Sequence, residues 1–360
     1  MTQRAITVTV SAALRRWFLL GLFAVPLLGS GFGITRAAAD DLRVRLGANA
    51  RGEMLVLGLD PAGIRLRPVE GNAGGEIIMP LAEARDLLFV LPEPYQRAQQ
   101  LAFNGRPAEA VLLLKPVVLP LVPYLGAPGT NAVAAVNFYF DLLMGQAEWD
   151  EALALAKQLP LDAPDTGFLP KVVRLARALR STERPIDATA LIGRIPINTA
   201  TMPWFSLLAD FADELRRNGN FVEARAIYER LRPFDVGEAQ VQRTLLIAYT
   251  EYHTGAPMSA AALFELVAEP VENSELLPLY LMLKARLELD HDEVAPALDH
   301  VGRGLVVAAG ASEWRAELQA VAAAAYRAAG RDDVAETIEA DMRRIFPDSR
   351  WTPASHSPAS

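Results

Sequence analysis

The chain of 360 residues contains no cysteine. That excludes disulfides, a thiolate metal site, a thiol nucleophile and a lipid-bearing cysteine at an export site. Such a composition is compatible with an oxidising compartment without requiring one. Lysine is almost missing as well: Lys115, Lys157, Lys171 and Lys284 are the only ones, so arginine carries most of the positive charge. The four histidines are His253, His291, His300 and His356. No Gly-x-Ser-x-Gly, His-Glu-x-x-His or Rossmann glycine string is present, so the commonest hydrolase, zinc-protease and dinucleotide chemistries have no motif to stand on. Asp290-His291-Asp292-Glu293 with His300 comes nearest to a ligand cluster. However, the two histidines are nine apart and Asp292-Glu293 suits a charged helix start, so no metal site is assigned and no cofactor is expected. The glycines at 71–75 lack the Lys-Ser/Thr ending of a phosphate loop and read as a turn. Net charge is −8. Residues 1–39 hold four arginines and no acids, which leaves −8 − 4 = −12 for the rest. A chain this acidic does not suggest nucleic-acid binding.

What is abundant is apolar sequence, at 51%, laid out at helical spacing. In 204–235, Leu207, Leu208, Phe211, Ala212 and Leu215 form one stripe. Asn218-Gly219-Asn220 breaks it with residues that tolerate a left-handed cap. A second stripe, Phe221, Ala224, Ile227, Tyr228 and Leu231, runs until Pro233. Ala212 and Ala224 let two antiparallel helix backbones approach closely. Such a hairpin cannot bury its faces alone, and copies of it recur. The second-helix alanines are Ala110, Ala152, Ala188, Ala224, Ala260, Ala297 and Ala335, at intervals of 42, 36, 36, 36, 37 and 38.

This pattern resembles the tetratricopeptide repeat. The resemblance rests on Ala212, Leu215, Gly219, Ala224 and Tyr228, on Ala323, Tyr326, Gly330, Ala335 and Pro347, and on Ala98, Leu101, Gly105, Ala110 and Leu114. It implies a mainly α protein, an α-solenoid of about seven antiparallel helix hairpins over 92–347, with connections longer than the family's usual period of about 34 residues. In that family the first helices line a concave groove. Mapped by helical period, the inward side here carries Arg177, Arg180, Asp213, Arg216, Arg217, Tyr249, Tyr252, His253, Arg286 and Arg327. Arginine forks bind carboxylates in a two-point geometry, and tyrosine offers stiff contact area. The resemblance thus implies a non-enzymatic scaffold whose partner is a protein or peptide, with an extended acidic peptide or a C-terminal carboxylate the best fit.

Other segments read differently. Residues 1–39 look like an export signal: Arg4, Arg15 and Arg16, an apolar run from Trp17 to Leu28, and Ala37-Ala38-Ala39 before Asp40. Arg15-Arg16-Trp17-Phe18-Leu19 also resembles a twin-arginine signal. The main body is therefore expected outside the cytoplasm, in the periplasm, or anchored through 17–34 if the signal stays. Residues 40–91 alternate short β-type runs with turns and predict a small meander or partial barrel of four or five strands packed on the first repeat. Ile64 and Leu66, with Val69 at the strand's end, face one way and Arg65 and Arg67 the other. Prolines at 116, 120, 123 and 128 predict an irregular connection over Pro116–Thr130 rather than helix. The tail 348–360 reads as disordered. The rival function is a wall-active enzyme, or an accessory subunit, in which the solenoid guides substrate. That rival needs a catalytic module, and 40–91 is short and lacks an acid or nucleophile set.

Overall fold

The structure is a computed structural model that describes residues 42–47, 52–69, 75–127, 129–163, 166–308, 310 and 312–354. The export signal and the end of the tail lie outside the described residues.

Five short strands form one antiparallel sheet: β1 (Arg43–Leu46), β2 (Glu53–Asp60), β3 (Gly63–Pro68), β4 (Ile77–Met79) and β5 (Leu87–Phe89), in the order β4-β3-β2-β1-β5. The β2–β3 turn forms because the Asp60 carboxylate accepts the amides of Ala62 (2.9 Å) and Gly63 (3.2 Å), a side-chain mimic of a backbone turn. Gly63 has φ +144°, and a Cβ there would run into the Met79 carbonyl, so only glycine lets β4 pair at this point. Val44, Met54, Val56, Ile64, Leu66, Leu87 and Phe89 bury one face. Val69, expected with them, is exposed. The bonds that fix the sheet come from the second hairpin, where the sequence pointed to the first. The Asn131 side chain accepts the Phe89 amide (2.8 Å) and donates to the Phe89 carbonyl (2.9 Å), so a residue of the second hairpin closes the β5 edge. Phe89 also packs on Tyr124, with ring centroids 5.5 Å apart.

Fourteen helices follow among the described residues, in seven hairpins: α1 (Glu93–Phe103) with α2 (Pro107–Val118), α3 (Asn131–Gly145) with α4 (Trp149–Ala156), α5 (Phe168–Ser181) with α6 (Pro185–Gly193), α7 (Phe205–Arg217) with α8 (Phe221–Leu231), α9 (Glu238–His253) with α10 (Pro257–Phe264), α11 (Leu277–Asp290) with α12 (Val294–Val307), and α13 (Arg315–Ala328) with α14 (Asp332–Ile345). The seven periodic alanines are all fully buried. Each stands five residues after a backbone at positive φ: Gly105, Ala147, Glu183, Gly219, Gly255, Asp292 and Gly330. In every case the next amide reaches back to the first helix, as in Arg106 N to Leu101 O (2.8 Å) and Asn220 N to Leu215 O (2.8 Å). This is the six-to-one closure that a left-handed residue makes possible. The array is tetratricopeptide-like on these grounds.

Two boundaries differ from the sequence expectation. The connection after the first hairpin is mostly helical: α2 runs through Pro116 to Val118, and a 3₁₀ stretch covers Leu119–Tyr124. Pro116 costs the last turn one bond, the one its amide would make to the Leu112 carbonyl, and Val118, Leu121, Val122 and Leu125 supply buried apolar contacts that favour compact backbone in spite of it. At the other end, residues 348–354 continue as a folded turn. Thr352 Oγ1 donates to the Phe346 carbonyl (2.6 Å), and Trp351 packs on the core.

Candidate functional site

The first helices carry the polar residues that the sequence places on the inner side, and the structure divides them into two groups. The first group lies on α5 and its neighbours. Lys171 (2.5 Å) and Arg174 (3.0 Å) both reach Asp141 of α3, while Arg177 donates to Glu214 of α7 (2.8 Å) and lies over the Phe211 ring. Arg177, Arg180, Phe211, Glu214, Asn218 and Asn220 line an open recess of about 350 Å³. Arg180 Nη1 is buried there without a hydrogen-bond partner. Arg217, exposed, donates among the described residues to the Asp213 carbonyl of its own helix (3.3 Å).

The second group is drawn together by curvature of the array. Arg216 on α7, 5% exposed, donates to both carboxylate oxygens of Glu313 (3.0 and 2.9 Å), a residue 97 positions later at the entry to α13. Its guanidinium lies 4.4 Å from the Trp314 ring and 5.8 Å from that of Tyr249. Burial opposes its charge, but Glu313 and Asp213 outweigh burial and hold its pKa above the ordinary arginine value. Asp213 also accepts the Tyr228 hydroxyl.

Deeper in, Glu317 of α13 is 1% exposed. Its carboxylate accepts Tyr249 Oη–H (2.7 Å), His253 Nε2–H (3.0 Å) and Arg286 Nη2–H (2.8 Å), from α9 and α11. Burial works against a charge at this place. The donors from His253, Arg286 and Tyr249 overcome it, so the Glu317 pKa lies below the usual glutamate value. Burial lowers the His253 pKa, with Glu317 only partly offsetting it, so the imidazole is neutral and donates through Nε2. Burial likewise raises the Tyr249 hydroxyl, and the Glu317 charge adds to it.

Above this cluster lies a ladder of rings and guanidinium groups. Arg286 sits between Tyr252 (5.6 Å) and Trp351 (5.3 Å), and Arg350 between Trp351 (4.8 Å) and Phe221 (4.6 Å). His253 stacks on Phe221 at 4.7 Å and 17°. Tyr252 donates to Asp290 (3.1 Å). An open recess of about 620 Å³ adjoins the ladder, with Arg216, Arg217, Glu313, Glu317 and residues 348–351 in its wall.

Of the ten residues mapped to an open groove, Arg216, Tyr249, Tyr252, His253 and Arg286 are thus engaged within the molecule, with Asp213 beside them. Arg177, Arg180 and Arg217 line accessible recesses. Arg327 stands apart, paired with Glu339 inside its own hairpin (2.6 Å). The groove differs from the expected open channel because α13 meets α7, α9 and α11 across the Glu313–Glu317 contacts. Sequence reasoning passed over Trp314, Glu317, Arg350 and Trp351, and read Ser312-Glu313 as a helix cap and not as a partner for Arg216. One signal for Glu317 was available: it is a carboxylate inside the stripe Trp314, Leu318, Val321, Ala322, Ala325, where a charge needs partners. The histidines weighed as ligands go separate ways, His291 to the Leu287 carbonyl (2.7 Å) and His300 to Glu288 (2.8 Å). Among the described residues no three His, Asp or Glu side chains gather in a metal-binding group.

No family model matches the chain, and no curated protein matches it. Among solved structures it is similar to the C-terminal part of a TPR repeat-containing protein from Cytophaga hutchinsonii, at 16% identity over 71% of this chain and 96% of that one, with a TM-score of 0.37. It is also similar to BtubC (BKLC) from P. vanneervenii, at 16% identity over 74% of this chain and 92% of that one, with a TM-score of 0.32. Likenesses this distant carry no weight of their own, and the description as tetratricopeptide-like stands on the seven hairpins.

Proposed function

We propose that the chain is an exported, non-enzymatic scaffold that holds a protein of a cell-envelope assembly, and that it reads an extended acidic segment on the α5–α7 face. The observation that carries the reading is Arg180. Its Nη1 is buried without a partner while the side chain lines an open recess beside Arg177, on a face where, among the described residues, Lys171, Arg174, Arg177 and Arg180 meet Asp141 and Glu214 as their carboxylate partners. Four cations with two acid partners leave an excess of donors for carboxylates supplied from outside. The export part rests on the basic start, apolar run and small-residue site of residues 1–39. The test is charge reversal at Arg177 and Arg180 in the full chain, followed by crosslinking in the native envelope. Loss of the crosslinked partner with an unchanged thermal midpoint is the expected result, and undiminished crosslinking overturns the reading.

A further inference from the structure

The turn at 348–354 is seated on the inner face in an unusual way. Its hydrogen bonds are its own: Ser349 N to Phe346 O (3.0 Å), Thr352 N to Ser349 O (3.0 Å), Thr352 Oγ1 to Phe346 O (2.6 Å) and Trp351 N to Ser349 Oγ (3.3 Å). What holds it to α7–α11 is stacking, through Arg350 on Phe221 and Trp351 on Arg286 and His253. Gly219 leaves the space that the Arg350 guanidinium enters, since a Cβ at its φ of +80° would meet Nη1. Beneath, the Glu317 carboxylate already has its three donors without any help from the turn. Lifting the turn away therefore strips no hydrogen bond from the slot, and the slot is complete before it is filled. Arg350 itself is exposed, and the 620 Å³ recess beside it is not filled by the turn.

We propose that this slot, walled by Phe221, Tyr252, His253 and Arg286, is a recognition site for a peptide segment carrying a cation next to an aromatic residue, and that Arg350–Trp351 occupies it in cis. The partner is a segment of that chemistry, which displaces the turn and extends into the adjoining recess, where Glu313 and Arg217 offer it one charge of each sign. A guanidinium between two rings gains from both faces, and the gain rises when water is excluded, so the pair is selected over either side chain alone. This site is separate from the α5–α7 face and does not depend on what binds there.

The experiment is a titration of the full chain and of its Trp351→Ala variant with a fluorescent peptide having the sequence of residues 346–354. The variant is expected to bind it saturably and at least about tenfold more tightly than the native chain, which already holds its own copy. The same peptide with alanine for tryptophan is expected to lose binding to the variant. A folded Trp351→Ala chain that fails to bind at about 1 mM peptide overturns the proposal. Should that variant not fold, the titration on Arg350→Ala, which removes the stacking on Phe221 and leaves the buried carboxylate cluster untouched, decides by the same criterion. A native chain whose mass doubles with concentration, and reverts in the variant, overturns occupation in cis in favour of exchange between copies.

Discussion

The inner faces of α3–α5 and of α9–α13 use one vocabulary, arginine with a carboxylate one repeat or more away, and use it to opposite ends. On α5 the pairs are open to water: Arg174 and Asp141 are 57% and 48% exposed. Such pairs contribute about 0–1 kcal/mol each and leave their donors free to be recruited by a ligand. Around α13 the same chemistry is enclosed, with Arg286 and Glu317 at 18% and 1% exposure. There the charges hold three helices in register, and removing Glu317 leaves Arg286 without its carboxylate partner in a largely enclosed place. Position along the array, rather than residue type, decides which arginines are available for binding.

The comparison is broken hardest at its buried end. Glu317→Ala strips the acceptor from Tyr249, His253 and Arg286 together, and is expected to cost about 3–5 kcal/mol, read as a lower urea midpoint. Arg216→Ala also leaves Glu313 unpaired, but that carboxylate is 42% exposed, so a smaller loss of about 1–3 kcal/mol is expected in the same measurement. The third arm is pH. The folded His253 pKa is depressed below its ordinary 6.5, so the unfolded chain takes up the proton more readily. The stability that neutral His253 contributes is full above that value and falls as pH drops through it. Glu317, also depressed, keeps its contribution down to its ordinary 4.5 and loses it below. The thermal midpoint of the native chain should therefore decline on acidification through the histidine range, and His253→Gln should flatten that decline. At the open end, Asp141→Ala is expected to change stability by less than about 1 kcal/mol, since Arg174 returns to solvent and Lys171 keeps the Asn137 carbonyl (3.1 Å). An effect of comparable size tests the hairpins themselves: Glu183→Gly relieves a non-glycine residue at φ +61° and should add roughly 0.5–1 kcal/mol.

That last position shows where reading from sequence stops. Gly105, Gly219, Gly255 and Gly330 announce their turns, because glycine is the residue a left-handed backbone favours. Ala147, Glu183 and Asp292 take the same conformation without announcing it, held there by the six-to-one bond that follows and by the buried alanine five residues on. Strand β1 was equally silent. Its four residues bury only Val44, too little alternation to register, and it exists because β2 and β5 pair on either side of it. The turn at 348–354 reads as a polar, proline-bearing tail, and nothing local says that Arg350 and Trp351 have partners more than sixty residues upstream.

By itself the sequence determined the repeat: a small residue wherever two helices must touch, a stripe of large ones beside it, and a break at a fixed offset. These are contacts within one hairpin or to the next, so spacing along the chain is enough to specify them. Only the tertiary structure decided which inner residues face water and which face α13. That outcome depends on curvature summed over several connections, and small differences in helix length and crossing accumulate along the array. They bring Arg216 to Glu313 and Trp351 to Arg286, while Arg180 is left with an unanswered donor beside an open recess.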